Sequence, residues 1–126
     1  MQDSYSFRPE DLRRGDEHVH RLAIIHISRE GLSDYETRLA EMMATEPSYA
    51  NRRHIVRALG RIGSSRSVGV LLETLAEPEG LILGDAAEAL GRLKAADAVS
   101  RLQELTVSRL DWVAAKARWA LREIQD

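Results

Sequence analysis

Ala58-Leu59-Gly60-Arg61-Ile62 recurs as Ala89-Leu90-Gly91-Arg92-Leu93 and, in weaker form, as Ala120-Leu121-Arg122-Glu123-Ile124, each copy thirty-one residues after the last. The same spacing carries Glu46-Pro47 onto Glu77-Pro78, Val68 onto Val99 and Leu71 onto Leu102. Markers that share one register identify an internal repeat. At this period each unit is one supersecondary element that buries its apolar face only by stacking on its neighbours. Upstream, Leu39 and Met43 match Leu71 and Leu75 one residue out of step, so the first unit has diverged.

Within each unit the apolar residues follow a helical period. Ile55, Ala58, Leu59 and Ile62 form one stripe; Ile82, Ala86, Ala89, Leu90 and Leu93 form the next; Val113, Ala117, Ala120, Leu121 and Ile124 form a third. A second, shorter stripe follows in each complete unit: Leu39, Met42 and Met43, then Val68, Leu71, Leu72 and Leu75, then Val99, Leu102 and Leu105. Ser33-Asp34-Tyr35-Glu36 has the capping-box pattern of a helix start. Pro9, Pro47 and Pro78 stand at helix edges, where a missing N–H is tolerated. The pattern predicts helices near 16–30, 33–45, 48–62, 65–76, 80–94, 96–107 and 109–125. Gly60 and Gly91 fall inside two of them, where each costs about 1 kcal/mol relative to alanine, so close approach of a neighbouring helix is expected there.

The fold class that follows is all-α, a short α-solenoid of about three and a half helical repeats in one domain over 1–126. Its expected parts are an N-terminal segment (1–15), a degraded first repeat (16–45), two clearer repeats (46–76 and 77–107) and a C-terminal capping helix (108–126).

Composition agrees with a single domain. The 126 residues are 44% hydrophobic and 30% charged but only 5% aromatic, so the core must be aliphatic. A net charge of -2 gives no global field for nucleic acid or an anionic membrane. The absence of cysteine removes disulfides, thiolate metal sites and thiol nucleophiles. Met1 to Glu10 lack the apolar stretch of a signal peptide, and Leu22 to Ile25 is too short an apolar run to span a bilayer, so a cytoplasmic protein is expected.

The repeated segments "IVRALGRIG", "AAEALGRLK" and "DWVAAKARWALREI" resemble HEAT repeats of the phycobilisome (bilin) lyase type, over about residues 46–126. Units of that type read roughly V-R-x-x-A-A-x-A-L-G-x-I-G and continue into a V-x-x-L-x-x-L helix. Here Arg52 has the early arginine, Leu83 and Ala114 replace it in later units, and Gly63-Ser64-Ser65 stands where a Gly-Asp-Pro turn is usual. The resemblance implies a scaffold that binds other proteins, with the second helix of each pair lining the concave side.

Several residues are candidates for partner contact. Arg53, Arg57 and Arg61 are spaced four apart on one helix, as a site for phosphate or an acidic partner would need. The simpler reading is an internal pairing in which Arg57 faces Glu88, its equivalent one repeat later. Trp112 and Trp119, seven apart on the last helix, are either docking anchors or a cover for the end of the stack. On the second helices Arg38, Glu73, Arg101 and Glu104 are among the polar positions of an expected groove. His18, His20, His26 and His54 do not converge in sequence as metal ligands do. No phosphate-loop, dinucleotide, H-E-x-x-H or G-x-S-x-G motif is present.

The functional expectation is a non-enzymatic, cofactor-free adaptor that binds a protein partner on one face of the stack. A toxin-neutralising or inhibitor protein and a chromophore-handling relative of the bilin lyases are the alternatives. Nucleic acid is not an expected partner because the arginines lack interleaved aromatics. The chain is expected to be a monomer or a weak homodimer joined through the solenoid ends.

Overall fold

Asp16 accepts a hydrogen bond from the Val19 N–H through its carboxylate, and Gly31, at φ 66°, closes the far end. Between these caps runs the first helix of a computed structural model that describes residues 5–78 and 80–126. The described residues form α1 (Glu17–Glu30), α2 (Glu36–Met42), α3 (Tyr49–Ile62), α4 (Val68–Leu75), α5 (Ile82–Arg92), α6 (Val99–Leu105) and α7 (Asp111–Gln125), with no strand among them. The structure is all-α, a short solenoid of stacked helix pairs. Ser48 caps α3 as Asp16 caps α1, its hydroxyl accepting from the Asn51 N–H.

The second helices are shorter than the periodicity predicts. Each begins as a single 3-10 turn, at Ser33–Tyr35, Ser65–Ser67 and Ala96–Ala98, before the α-helix proper. The predicted capping box at Ser33 does not form. Glu36 instead turns toward the next repeat, where its carboxylate accepts from the Ser64 N–H at 2.7 Å and the Ser67 hydroxyl at 2.6 Å. A carboxylate that is 6% exposed needs several donors, and the Ser64–Ser67 turn supplies more of them than Ser33 can.

The long helices α1, α3, α5 and α7 stack side by side in chain order, and α2, α4 and α6 pack against α3, α5 and α7 from the other layer. The core is the aliphatic seam between the layers. Ile55, Leu59, Leu71, Leu75, Ile82, Leu90 and Leu102 are fully buried, each worth about 1.5–3 kcal/mol in transferred apolar surface.

Gly60 and Gly91 set the spacing of the long helices. A Cβ on Gly60 would stand 2.9 Å from the Cα of Ala89, and one on Gly91 would stand 2.8 Å from the Cα of Ala120. The close approach expected at these glycines is therefore between successive repeats, backbone against backbone.

Residues before α1 cover the open side of the first helix pair. Leu12 is 3% exposed in the 3-10 turn Pro9–Leu12, and Phe7 stacks on His26 at 5.0 Å and meets Tyr35 edge-on. At the other end α7 shows Asp111, Ala115, Arg118 and Arg122 to solvent. Residues 1–4, the beginning of the stretch expected to lack a signal peptide, lie outside the described residues. No helix among the described residues is long and apolar enough to cross a membrane.

Candidate functional site

Three arginines of α3, Arg52, Arg53 and Arg57, pair with acids of the next repeat, Glu77 and Asp85. Arg53 Nε lies 2.6 Å from one oxygen of Asp85, and Arg57 Nε lies 3.0 Å from the other. The Asp85 side chain is only 1% exposed, and each of its oxygens accepts from one guanidinium group, so the buried charge is paired. Arg52 forms a single, partly exposed pair with Glu77.

The expected Arg57–Glu88 pairing is replaced by Arg57–Asp85. Glu88 is held instead by Arg92 at 2.9 Å and by Lys116 at 2.8 Å. Burial alone would raise the Glu88 carboxyl, but Lys116 and Arg92 together hold it below the usual carboxylate value. The two interhelix bridges repeat one geometry with the charges exchanged: a cation on α3 reaches twenty-eight residues forward to an anion on α5, and an anion on α5 reaches twenty-eight residues forward to a cation on α7. Arg61 is exposed and makes no ion pair among the described residues. Of the predicted stripe, then, Arg53 and Arg57 are structural bridges and Arg61 is open.

The two tryptophans follow that register. Trp112 lies over Gly84, where a Cβ would overlap its ring, and Trp119 lies over Gly91, whose Cβ would stand 2.9 Å from its Cζ3. Arg53 and Lys116 sit at 5.5 and 5.7 Å from the Trp112 ring centroid, and Arg92 at 6.0 Å from that of Trp119. Trp119 occupies the repeat position of Arg57 and Glu88, which reach forward. Trp119 instead turns back and half-buries itself on Gly91.

Trp112 differs, being 37% exposed. The other large hydrophobics left open among the described residues are Tyr49 (45%), Leu81 (42%) and Val107 (84%). Tyr49, Leu81 and Trp112 stand at the starts of α3, α5 and α7, about one repeat apart. The Tyr49 hydroxyl accepts from the Ile82 N–H at 2.9 Å, next to Leu81; Arg53 lies one turn beyond Tyr49 and leans on Trp112; Trp112 covers Gly84. Tyr49 and Leu81 were not among the sequence candidates. Their near-repeat spacing from Trp112 is the signal that marks them, and it lies outside the apolar stripes because these residues face away from the core.

The second-helix candidates divide. α2 and α4 leave a groove of about 600 Å³ between them, lined by Glu41, Glu73, Arg52 and Arg66 with Ala40, Met43 and Val70. Glu73 is exposed on it and makes no ion pair among the described residues. Arg38 lies 4.0 Å from Glu41 and donates to the Leu12 carbonyl at 3.5 Å, tying the N-terminal turn to α2. Arg101 is engaged by backbone: it donates to the carbonyls of Leu75 at 3.0 Å and Glu77 at 3.2 Å, and also pairs with Glu104. A cation at the carboxyl end of α4 complements its dipole, so Arg101 is a helix cap and Glu104 orients it.

His20 bonds Glu46 at 3.3 Å within a polar cluster that includes buried Asn51, whose side chain joins α3 to the Glu17 carbonyl and Arg21 of α1. His26 carries the Phe7 stack, and His54 stands apart, beside the arginines of α3.

The family model described as HEAT repeats matches residues 36–122, more than half of the chain and all of α2 through most of α7. No curated protein matches the chain.

Proposed function

The chain belongs to the HEAT-repeat family, and from that premise we propose that it is a non-enzymatic adaptor that docks a protein partner on the row Tyr49, Leu81 and Trp112. The observation that carries this reading is the exposure of those three side chains at the starts of successive long helices. The open apolar side chains recur at the starts of α3, α5 and α7, and aromatic residues beside arginine are the usual anchors of interfaces. Arg53, already fixed by Asp85, gives the row a cation that loses little side-chain freedom on binding.

Affinity capture from lysate of the source cell, with nuclease treatment and washes at low and high salt, tests the proposal. A single protein that survives both treatments is the expected result, and its identity separates an adaptor from a toxin-neutralising inhibitor. Loss of all bound material on nuclease treatment contradicts the reading. Kinship with the bilin lyases at the level of chromophore handling has a direct check: on this proposal a linear tetrapyrrole mixed with the protein shows no change in visible absorbance.

A further inference from the structure

We infer that the cleft between α1 and α3 binds a tetrahedral dianion of the phosphate type, held by Arg29, Arg57 and Arg61 with Ser28 and His54 as hydrogen-bonding partners. The cleft has a volume of about 250 Å³, and its lining consists of those five residues and Ile25. Three guanidinium groups and no carboxylate meet there, in a chain whose acids outnumber its bases.

The charge is only partly cancelled from behind, where Arg57 and Arg61 also line a neighbouring cleft with Asp85 and Glu88. Asp85 is one carboxylate shared between Arg53 and Arg57. Glu88, the next acid on the α5 side, is held by Arg92 and Lys116. Arg29 and Arg61 are exposed and make no ion pair among the described residues. Guanidinium groups bind tetrahedral oxyanions through paired N–H donors, and groups brought in from two helices restrict the anion to one place.

His54, which lines the cleft, feels Arg57 from the same site. Burial, then Arg57, Arg21 and Arg53, push its imidazole below the usual 6.5, and Asp85 opposes them. These groups come from α1 (Arg21), α3 (Arg53 and Arg57) and α5 (Asp85), the three elements that face it. A neutral imidazole offers one N–H to an incoming anion and gains a proton as the anion offsets the arginines. The lining holds no Phe, Tyr or Trp on which a base could stack, which favours a phosphate monoester or the free ion over a nucleic-acid strand.

The test follows the His54 ring resonances by NMR across pH at constant ionic strength. Sulfate, a dianion throughout the range, is the primary probe; dimethyl phosphate, a monoanionic diester, is the comparison. Sulfate should raise the His54 midpoint saturably, by about one unit, and dimethyl phosphate should leave it nearly unchanged. The Arg29→Gln/Arg61→Gln variant removes two exposed side chains without touching the Asp85 bridges, so it should melt as the parent does and lose the sulfate shift. Phosphoserine and inorganic phosphate then identify the source: tighter saturation by phosphoserine assigns a phosphorylated side chain, and tighter saturation by inorganic phosphate assigns the free ion. A sulfate shift that fails to saturate, or one that persists in the folded variant, overturns the proposal.

Discussion

Gly91 of α5 faces Ala120 of α7 so closely that a single added carbon would stand 2.8 Å from the alanine Cα. Helix propensity alone makes Gly→Ala favourable by about 1 kcal/mol in a helix interior. At Gly91 the overlap with backbone reverses the sign, and Gly91→Ala should lower stability by about 1–3 kcal/mol. Gly69 in α4 is the matched control, since a Cβ there meets nothing within 4 Å. Gly69→Ala should stabilise, by up to about 1 kcal/mol. Chemical denaturation of the two variants checks both signs.

Glu36 links the first repeat to the second through the Ser64–Ser67 turn. Burial alone would raise its carboxyl, but the donors of Ser67 and Ser64, with Arg66, leave it below its usual 4.5. A carboxyl with a depressed folded value stabilises fully above its unfolded value, and that contribution is lost as pH falls through the folded value. Glu36→Gln should therefore cost about 1–3 kcal/mol at pH 7. The gap between parent and variant should close on acidification below about pH 4.5. A gap that stays constant down to pH 3 would remove the carboxylate from the account.

The exchanged charges of the two interhelix bridges predict a swap. Lys116→Glu places like charges together and should cost about 0.5–1 kcal/mol. Glu88→Lys added to it rebuilds the bridge in the Arg57–Asp85 order and should recover part of the loss. A double-mutant cycle at low and high salt reads the coupling, which should shrink as salt rises.

Trp119 covers Gly91 and is half-buried, so it acts as a lid on the last interface. Trp119→Ala should destabilise by about 2 kcal/mol, roughly half the loss of a fully buried tryptophan. Thermal melting measures the loss, and partner capture by the variant at a temperature where it is folded should be unchanged. Weakened capture with unchanged melting would move Trp119 from the lid to the docking surface.

The long helices and their buried stripes were legible because stacking imposes one period on the sequence, and Gly60 and Gly91 stand out as costs that only close packing offsets. Two features were not legible. Glu36 is a helix-start signal by local pattern, yet its partners Ser64 and Ser67 lie about thirty residues away, and no local rule ranks them above Ser33. Arg57 was expected opposite Glu88 by repeat equivalence, but parallel helices in contact are offset along their axes, and the offset moves the partner one turn back to Asp85. The exposed row was half legible: Trp112 drew notice as a tryptophan, whereas Tyr49 and Leu81 acquire meaning only when the stack aligns the three helix starts.

The docking row is tested most directly by Leu81→Ser, because Leu81 is 42% exposed and contributes little to the core. Quantitative capture of the retained partner by parent and variant, with melting as the fold control, is the measurement. The account predicts unchanged melting and at least a tenfold loss of affinity, about 1.4 kcal/mol. Equal affinity in a variant that melts like the parent would contradict it and place the partner elsewhere on the stack.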